Sequence, residues 1–318
     1  MEKTAEKLNT VRRRQKKPEV NPTEKGKLWF IIPMLAVPVL NFLIFWLYVN
    51  FESFLNAFRV EEYGEIKFSL TNWKYLWDDL FGNNPYSDLG ALLKNTLLYF
   101  STGMFVVLPL SLILAYFLYK KIRFYKYYRV IFFLPNIISG AVLATLYKFM
   151  FNPSLGGIFP TIYTAVTGLK ATNLLMSEAS AKWLVVLYSI WTGFSVNLII
   201  FNGAMERVPK EVIEAAELDG VTMTQEFAHI LFPMMWATLS TIIVTNVANV
   251  FTASGAVLLL TNGDYDTASI SYWIYITTKN ELSIYYPSTV AMCCTLIAFP
   301  IVLLVKKLTE KIYPDIYY

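Results

Sequence analysis

One stretch of this sequence concentrates residues able to do chemistry. Between Glu206 and His229 lie Glu206, Glu211, Glu214, Glu217, Asp219 and Glu226, against only Arg207 and Lys210. Glu211, Glu214 and Glu217 recur every third residue, a spacing that sets carboxylates along one side of a helix. Pro209 suits the start of that helix and Gly220 its end. Thr222 with Gln225 forms a T-x-x-Q capping box for a second short helix. Ala215 and Ala216 leave the flank low, so another surface can approach closely. Such a hairpin suits ion pairing with arginines of that surface; a solvated amphipathic loop would have the same residues. His229, the single histidine, reads as a structural residue. No other cluster of acids, bases or metal ligands is present. We therefore assign no catalytic residue, no metal and no cofactor. There is no G-x-x-x-x-G-K-[ST] phosphate loop, so the chain should not bind ATP. Cys293 and Cys294 sit in an apolar block and read as packing residues.

The second polar set lies in apolar surroundings. Asn136, Ser139, Thr145, Ser189, Thr192, Ser195, Asn197, Thr238, Ser240, Thr241, Thr245, Asn246, Asn249, Thr252 and Ser254 bring amides and hydroxyls but no charge. Hydrogen bonding between packed helices accounts for such residues. The density is highest from Thr245 to Ser254. There Asn246 and Asn249 share a helix face and, with Thr245, Thr252 and Ser254, would line a wet path. An uncharged path lined by amides suits a neutral polyol such as a sugar. Spacing alone leaves pathway and packing equally open.

The elements that position these residues are membrane spans. Of 318 residues, 56% are hydrophobic and 16% charged, where a soluble domain carries roughly 25% charged residues. Six apolar blocks run about 28–51, 95–119, 128–151, 183–205, 231–260 and 287–305, and each is long enough to cross a bilayer as a helix. Pro135-Asn136 makes the third the most prone to break. Nine basic residues in Met1–Lys27, five in Lys120–Arg129 and three after the sixth block put both termini in the cytoplasm. The same rule explains Arg12–Lys17 without nucleic acid. Acids crowd the loop after the first block, where Trp73, Tyr75 and Trp77 suit an interfacial helix. Asn152–Gly157 is a turn signal. No ionisable residue lies deep inside a block. Proton carriers and voltage sensors need such residues, so energy for any transport would enter from outside the membrane. A sodium-driven secondary carrier for a small neutral solute is the alternative.

Glu214-Ala215-Ala216, Gly220, Ile230 and Phe232-Pro233 complete a pattern with the spacing E-A-A-x3-G-x9-I-x-L-P, with phenylalanine in place of leucine. This resembles the signature of permease subunits of binding-protein-dependent ABC importers. Leu260-Thr261-Asn262-Gly263-Asp264 is similar to the L-T-N-G-G-P segment of maltose-type sugar permeases, departing from it at Asp264-Tyr265. Phe133-Leu134-Pro135 and Phe151-Asn152-Pro153 also look like sugar-permease features. The resemblance covers about residues 91–305. It implies an all-α membrane protein of six transmembrane helices with type I ABC importer permease architecture. It further implies a cytoplasmic ABC ATPase dimer, a second permease subunit of a different chain and an extracellular solute-binding protein. By it, residues 206–230 are the coupling loop, and Glu214, Ala215, Ala216 and Gly220 dock the ATPase. The expected organisation is a basic tail over 1–27, a first transmembrane helix over 28–51 and an extracellular loop over 52–90. The permease core over 91–305 and a cytoplasmic tail over 306–318 complete it. The expected location is the cell membrane.

Overall fold

A computed structural model describes residues 22–62, 64–82, 88–252, 255–280 and 284–312, with side chains from residue 26. Most of the basic tail, and Ser254, lie outside the described residues. The chain divides into two compact units, Met1–Leu55 and Asn56–Tyr318.

Helix α1 (Gly26–Asn56) is apolar through the length needed to cross a membrane. It contains Pro33 and Pro38 and a π-helical stretch, Phe42–Tyr48.

The second unit opens with an antiparallel hairpin of β1 (Arg59–Glu62) and β2 (Glu65–Phe68), with Arg59 opposite Phe68. Helix α2 (Thr71–Phe81) follows and carries the three aromatic residues expected of an interfacial helix. Trp73 is held by its indole N–H, which donates to Ala57 O at 3.1 Å, while Tyr75 and Trp77 are exposed. Helix α3 (Leu89–Tyr119) crosses in one piece. The third block is instead two helices, α4 (Tyr125–Ile137) and α5 (Gly140–Phe151), bent by 107°. The break falls at Ile138 and Ser139, both extended, just beyond Pro135-Asn136. Proline crowds the turn before it, so the helix runs on past Pro135, with Ile138 N–H still bonded to Leu134 O at 3.2 Å, before it breaks. The turn expected after α5 is present: Asn152 Oδ1 accepts from Ser154 N at 2.9 Å and Gly156 has φ +70°.

A short apolar helix, α6 (Ile158–Thr167), precedes the long α7 (Ala181–Met205). Next come α8 (Lys210–Leu218), then α9 (Met223–Met234) and α10 (Trp236–Ala248), bent by 72°. The fifth block is therefore not one helix over 231–260. Pro233 lies just before the bend at Met235. At the far end Asn249 N is shared between Thr245 O and Asn246 O, which stops α10. Its 13 residues span about 20 Å, and the short α11 (Gly255–Leu260) makes up the rest. Helices α12 (Ile270–Lys279) and α13 (Tyr285–Ile312) close the chain. Among the described residues four helices are long and apolar enough to cross a membrane, and up to six spans result when each bent pair counts as one.

Three apolar clusters hold the unit together. One joins α3, α7, α9 and α10 through Leu108, Leu112, Leu198, Phe201, Met205, Leu231 and Met235. At the α3–α7 crossing a Cβ on Gly193 would stand 3.2 Å from Val107 Cγ1, so glycine permits the close approach. A second cluster joins α3, α5, α7, α11 and α12, and a third joins α2, α3, α12 and α13. The third contains buried Cys294 with Cys293 against it, in keeping with packing.

Polar ties at the two ends of the bundle fix which loops share a side. At one end Tyr116 OH donates to Met223 O at 2.9 Å and Trp236 Nε1 to Thr309 O at 2.9 Å. At the other, Asn95 Nδ2 donates to Asp266 O and Ala268 O, each at 2.9 Å. Lys182 pairs there with Asp266 at 2.6 Å, and Tyr286 donates to an Asp79 carboxylate oxygen. The loop following α11 is tightly turned: Asn262, Gly263, Tyr265 and Asp266 all have positive φ. Tyr99 OH donates to its Thr267 O at 2.8 Å, and Thr261 and Thr267 share a buried hydrogen bond.

Candidate functional site

Helix α8 begins after Pro209, which lies outside helical φ/ψ. Glu211 sits in its first turn, where a carboxylate meets the positive end of the helix dipole. Its end is a full Schellman turn. Gly220, at φ +75°, sends its N–H to Glu217 O at 3.1 Å, and Val221 N–H reaches Ala216 O at 3.1 Å. Thr222 N then donates to Gln225 Oε1 at 3.0 Å and the Thr222 hydroxyl to the same oxygen at 2.7 Å. The helix, stop and cap read from the sequence are all present.

The faces of α8 are sorted unequally. Ile213 and Ala216 are buried; Glu211, Glu214, Ala215 and Gly220 are exposed. Leu218 is 89% exposed, high for a leucine. Ala216 thus lies on the inward face and does not lower the outer flank as expected. The apolar i,i+3 pair Ile213 and Ala216 was the available signal. The glutamates do not act as one row either. Glu217 turns to Lys120, at the end of α3, with Nζ 3.1 Å from Oε1.

Lys120 was not among the sequence candidates. Its Nζ also lies 2.9 Å from Glu226 Oε2. Glu226 is only 2% exposed, and its Oε1 has no hydrogen-bond partner among the described residues. Burial alone would lower the pKa of the Lys120 ammonium. The hydrogen bonds it donates to Glu226 and Glu217, with their negative charges, outweigh this, and the net shift is upward. Tyr116 packs against Phe227 with tilted rings, their centres 5.0 Å apart, beside this pair. His229 is exposed, with Nδ1 3.2 Å from Gln225 O.

Among the membrane hydroxyls, most bond within their own helix. Ser189, Thr192, Thr241 and Thr245 each donate to the carbonyl four residues back. Ser195 does cross between helices, reaching Phe132 O on α4 at 2.8 Å. Asn246 is half-buried near the end of α10. Asn249 and Thr252 are exposed in the turns beyond it, where Thr252 Oγ1 donates to Asn249 O at 2.9 Å. Asn246 and Asn249 thus bracket the helix end instead of lining one continuous helix. No group of three or more possible metal ligands occurs among the described residues.

Bent apolar spans, ionic groups confined to the span ends and a short hairpin anchored on one face define a multi-pass integral membrane protein of the permease class. The chain belongs to the family of binding-protein-dependent transport system inner membrane components, whose model matches residues 107–316. It is 30% identical over 199 residues to the arabinooligosaccharides transport system permease protein AraP of Bacillus subtilis (strain 168). That match covers 62% of this chain and 61% of AraP, under two thirds of that relative. It is 28% identical to the probable ABC transporter permease protein YurN of the same organism, across 87% of this chain and 95% of YurN. The fold is shared with a bacterial ABC transporter involved in the import of the acidic polysaccharide alginate. There the TM-score is 0.78 at 20% identity, over 91% of this chain and 98% of that one.

Proposed function

We propose that this chain is a translocation subunit of an ATP-driven importer of sugars or oligosaccharides, coupled to a separate ATPase through α8. One observation carries the reading: α8 is anchored by Ile213 and Ala216 while Glu211, Glu214, Ala215 and Leu218 stand uncovered. A short amphipathic helix with an exposed leucine between carboxylates suits a groove edged by arginines. Glu214 and Ala215 make the docking contact. Gly220 and Ala216 set the shape of the hairpin that presents them.

The other partners are a second permease of a different chain, an extracellular solute-binding protein and the bilayer of the cell membrane, with α8 and both termini in the cytoplasm. The oligosaccharide in AraP's name and the lack of charge deep within the spans, among the described residues, together favour a neutral sugar. Asn246, Asn249 and Thr252 meet it at the end of α10. Nucleotide binding closes the ATPase dimer, α8 follows it, and the permease halves turn outward to receive solute; hydrolysis resets them. ATP is hydrolysed by the partner, and this chain supplies no catalytic residue.

The test is reconstitution with the ATPase and binding protein. Glu214→Lys should abolish ATP-driven uptake and ATPase co-purification while membrane insertion is kept. Normal ATP-driven uptake by that variant would refute the docking assignment. Uptake that follows a sodium gradient without ATP would refute the reading as a whole.

A further inference from the structure

The α8 hairpin must do more than touch a motor: it must pass motion to the membrane helices. Among the described residues, α8 has one polar tie to those helices, Glu217 to Lys120. Lys120 caps α3, its own N–H bonded to Tyr116 O at 2.9 Å, where helix-dipole charge favours a cation. The same ammonium reaches Glu226 at the start of the α9 π-helical stretch. One side chain therefore joins the last turn of α8, the first part of α9 and the end of α3.

Stability alone does not account for this arrangement. Glu226 is 2% exposed and its Oε1 has no hydrogen-bond partner among the described residues. Burying an ion pair is commonly no better for stability than apolar packing of the same volume, and fixing register is its best-attested use. An apolar residue would fill the site beside Phe227 and Tyr116, but would fix no direction.

We infer that Lys120 is a positioning residue for energy coupling: through Glu217 and Glu226 it makes the α8 hairpin and the end of α3 move as one body. This rests on α8 being the coupling helix. Without the bridge, a docked motor would tilt the hairpin and lose its stroke before the membrane helices turned.

The experiment measures uptake per ATP hydrolysed in proteoliposomes holding the full transporter. Lys120→Met alone strands the buried carboxylate, so the deciding variant is the pair Lys120→Met with Glu226→Leu. It should keep the ATPase bound and hydrolysing while uptake per ATP falls about tenfold, within the range of known coupling free energies. Lys120→Arg, which can still bridge two carboxylates, should restore most of it. Glu217→Gln, at a half-exposed site that leaves the Glu226 pair intact, should give a fall of about twofold. Uptake per ATP equal to wild type in the pair variant overturns the inference. If the pair variant does not assemble, the wild-type ratio in Glu217→Gln overturns it. A wild-type assembly that never binds an ATPase overturns the coupling reading itself, a result distinct from either.

Discussion

Gly220 offers a graded test of the hairpin. Its φ of +75° lies where an L side chain is strained, yet a Cβ there would meet nothing within 4 Å. Gly220→Ala therefore adds conformational cost alone, about 1–2 kcal/mol. Gly220→Asn costs less, because asparagine enters this region more readily. Gly220→Pro fixes φ near −65° and removes the N–H that bonds Glu217 O, about 3 kcal/mol or more. At tenfold per 1.4 kcal/mol, alanine should raise hairpin opening by about fivefold to thirtyfold, and proline by more than about a hundredfold. Hydrogen exchange at the Val221 amide, which bonds Ala216 O, reads the opening directly in detergent or nanodiscs. Uptake should decline in the same order: asparagine, alanine, proline. Wild-type exchange in the alanine variant, or equal effects of alanine and proline, would show that the left-handed turn does not hold the hairpin.

Three further outcomes follow from the polar ties. Asn95→Leu leaves two loop carbonyls, Asp266 O and Ala268 O, without their donor at a site 2% exposed. Stability should fall by about 3 kcal/mol, seen as a lower thermal midpoint of the purified protein; an unchanged midpoint contradicts the clamp. Lys120→Met should lose about 3–5 kcal/mol by stranding the Glu226 charge, and Glu226→Gln distinctly less. The reverse order in thermal unfolding would refute the bridge. The folded-state pKa of Lys120 is raised above 10.5. Its contribution is then fully present below 10.5 and lost as pH rises through the higher folded value. Hairpin protection should not vary between about pH 6 and 9 on account of this lysine. A fall within that range, scored against intrinsic exchange rates, would contradict the pairing.

What was legible in the sequence follows the range of the forces involved. The six apolar blocks are visible because a bilayer demands them. The helix, stop and cap of the α8 hairpin depend on neighbours within a few residues. Pro135 signalled the bend in the third block, but α10's early stop at Asn249 is a shared hydrogen bond with no strong residue signal. The β1–β2 hairpin was missed because its strands are only four residues each: Glu65-Ile66-Lys67-Phe68 alternates but is exposed throughout, and the charged Glu61-Glu62 breaks the pattern in β1. Lys120 resembled any basic residue of a loop between spans. Its two partners are 97 and 106 residues away, and only the folded bundle brings them within reach. Among the polar residues of the spans, the sequence could not separate Ser195, which crosses between helices, from Ser189, which bonds its own turn.

The loop following α11 has a practical consequence for anyone engineering this protein. Surface loops commonly accept tags and inserted domains, but tolerance depends on how firmly the local backbone is held. Here left-handed residues from Asn262 to Asp266 run into three successive carbonyls, Asp266 to Ala268, gripped by Asn95 and Tyr99 of a distant helix. An epitope or fluorophore peptide placed between Asn262 and Ala268 would tear out the seam joining α3 to α12. The segment from Gly168 to Asn173, largely exposed, is the safer place for such a label.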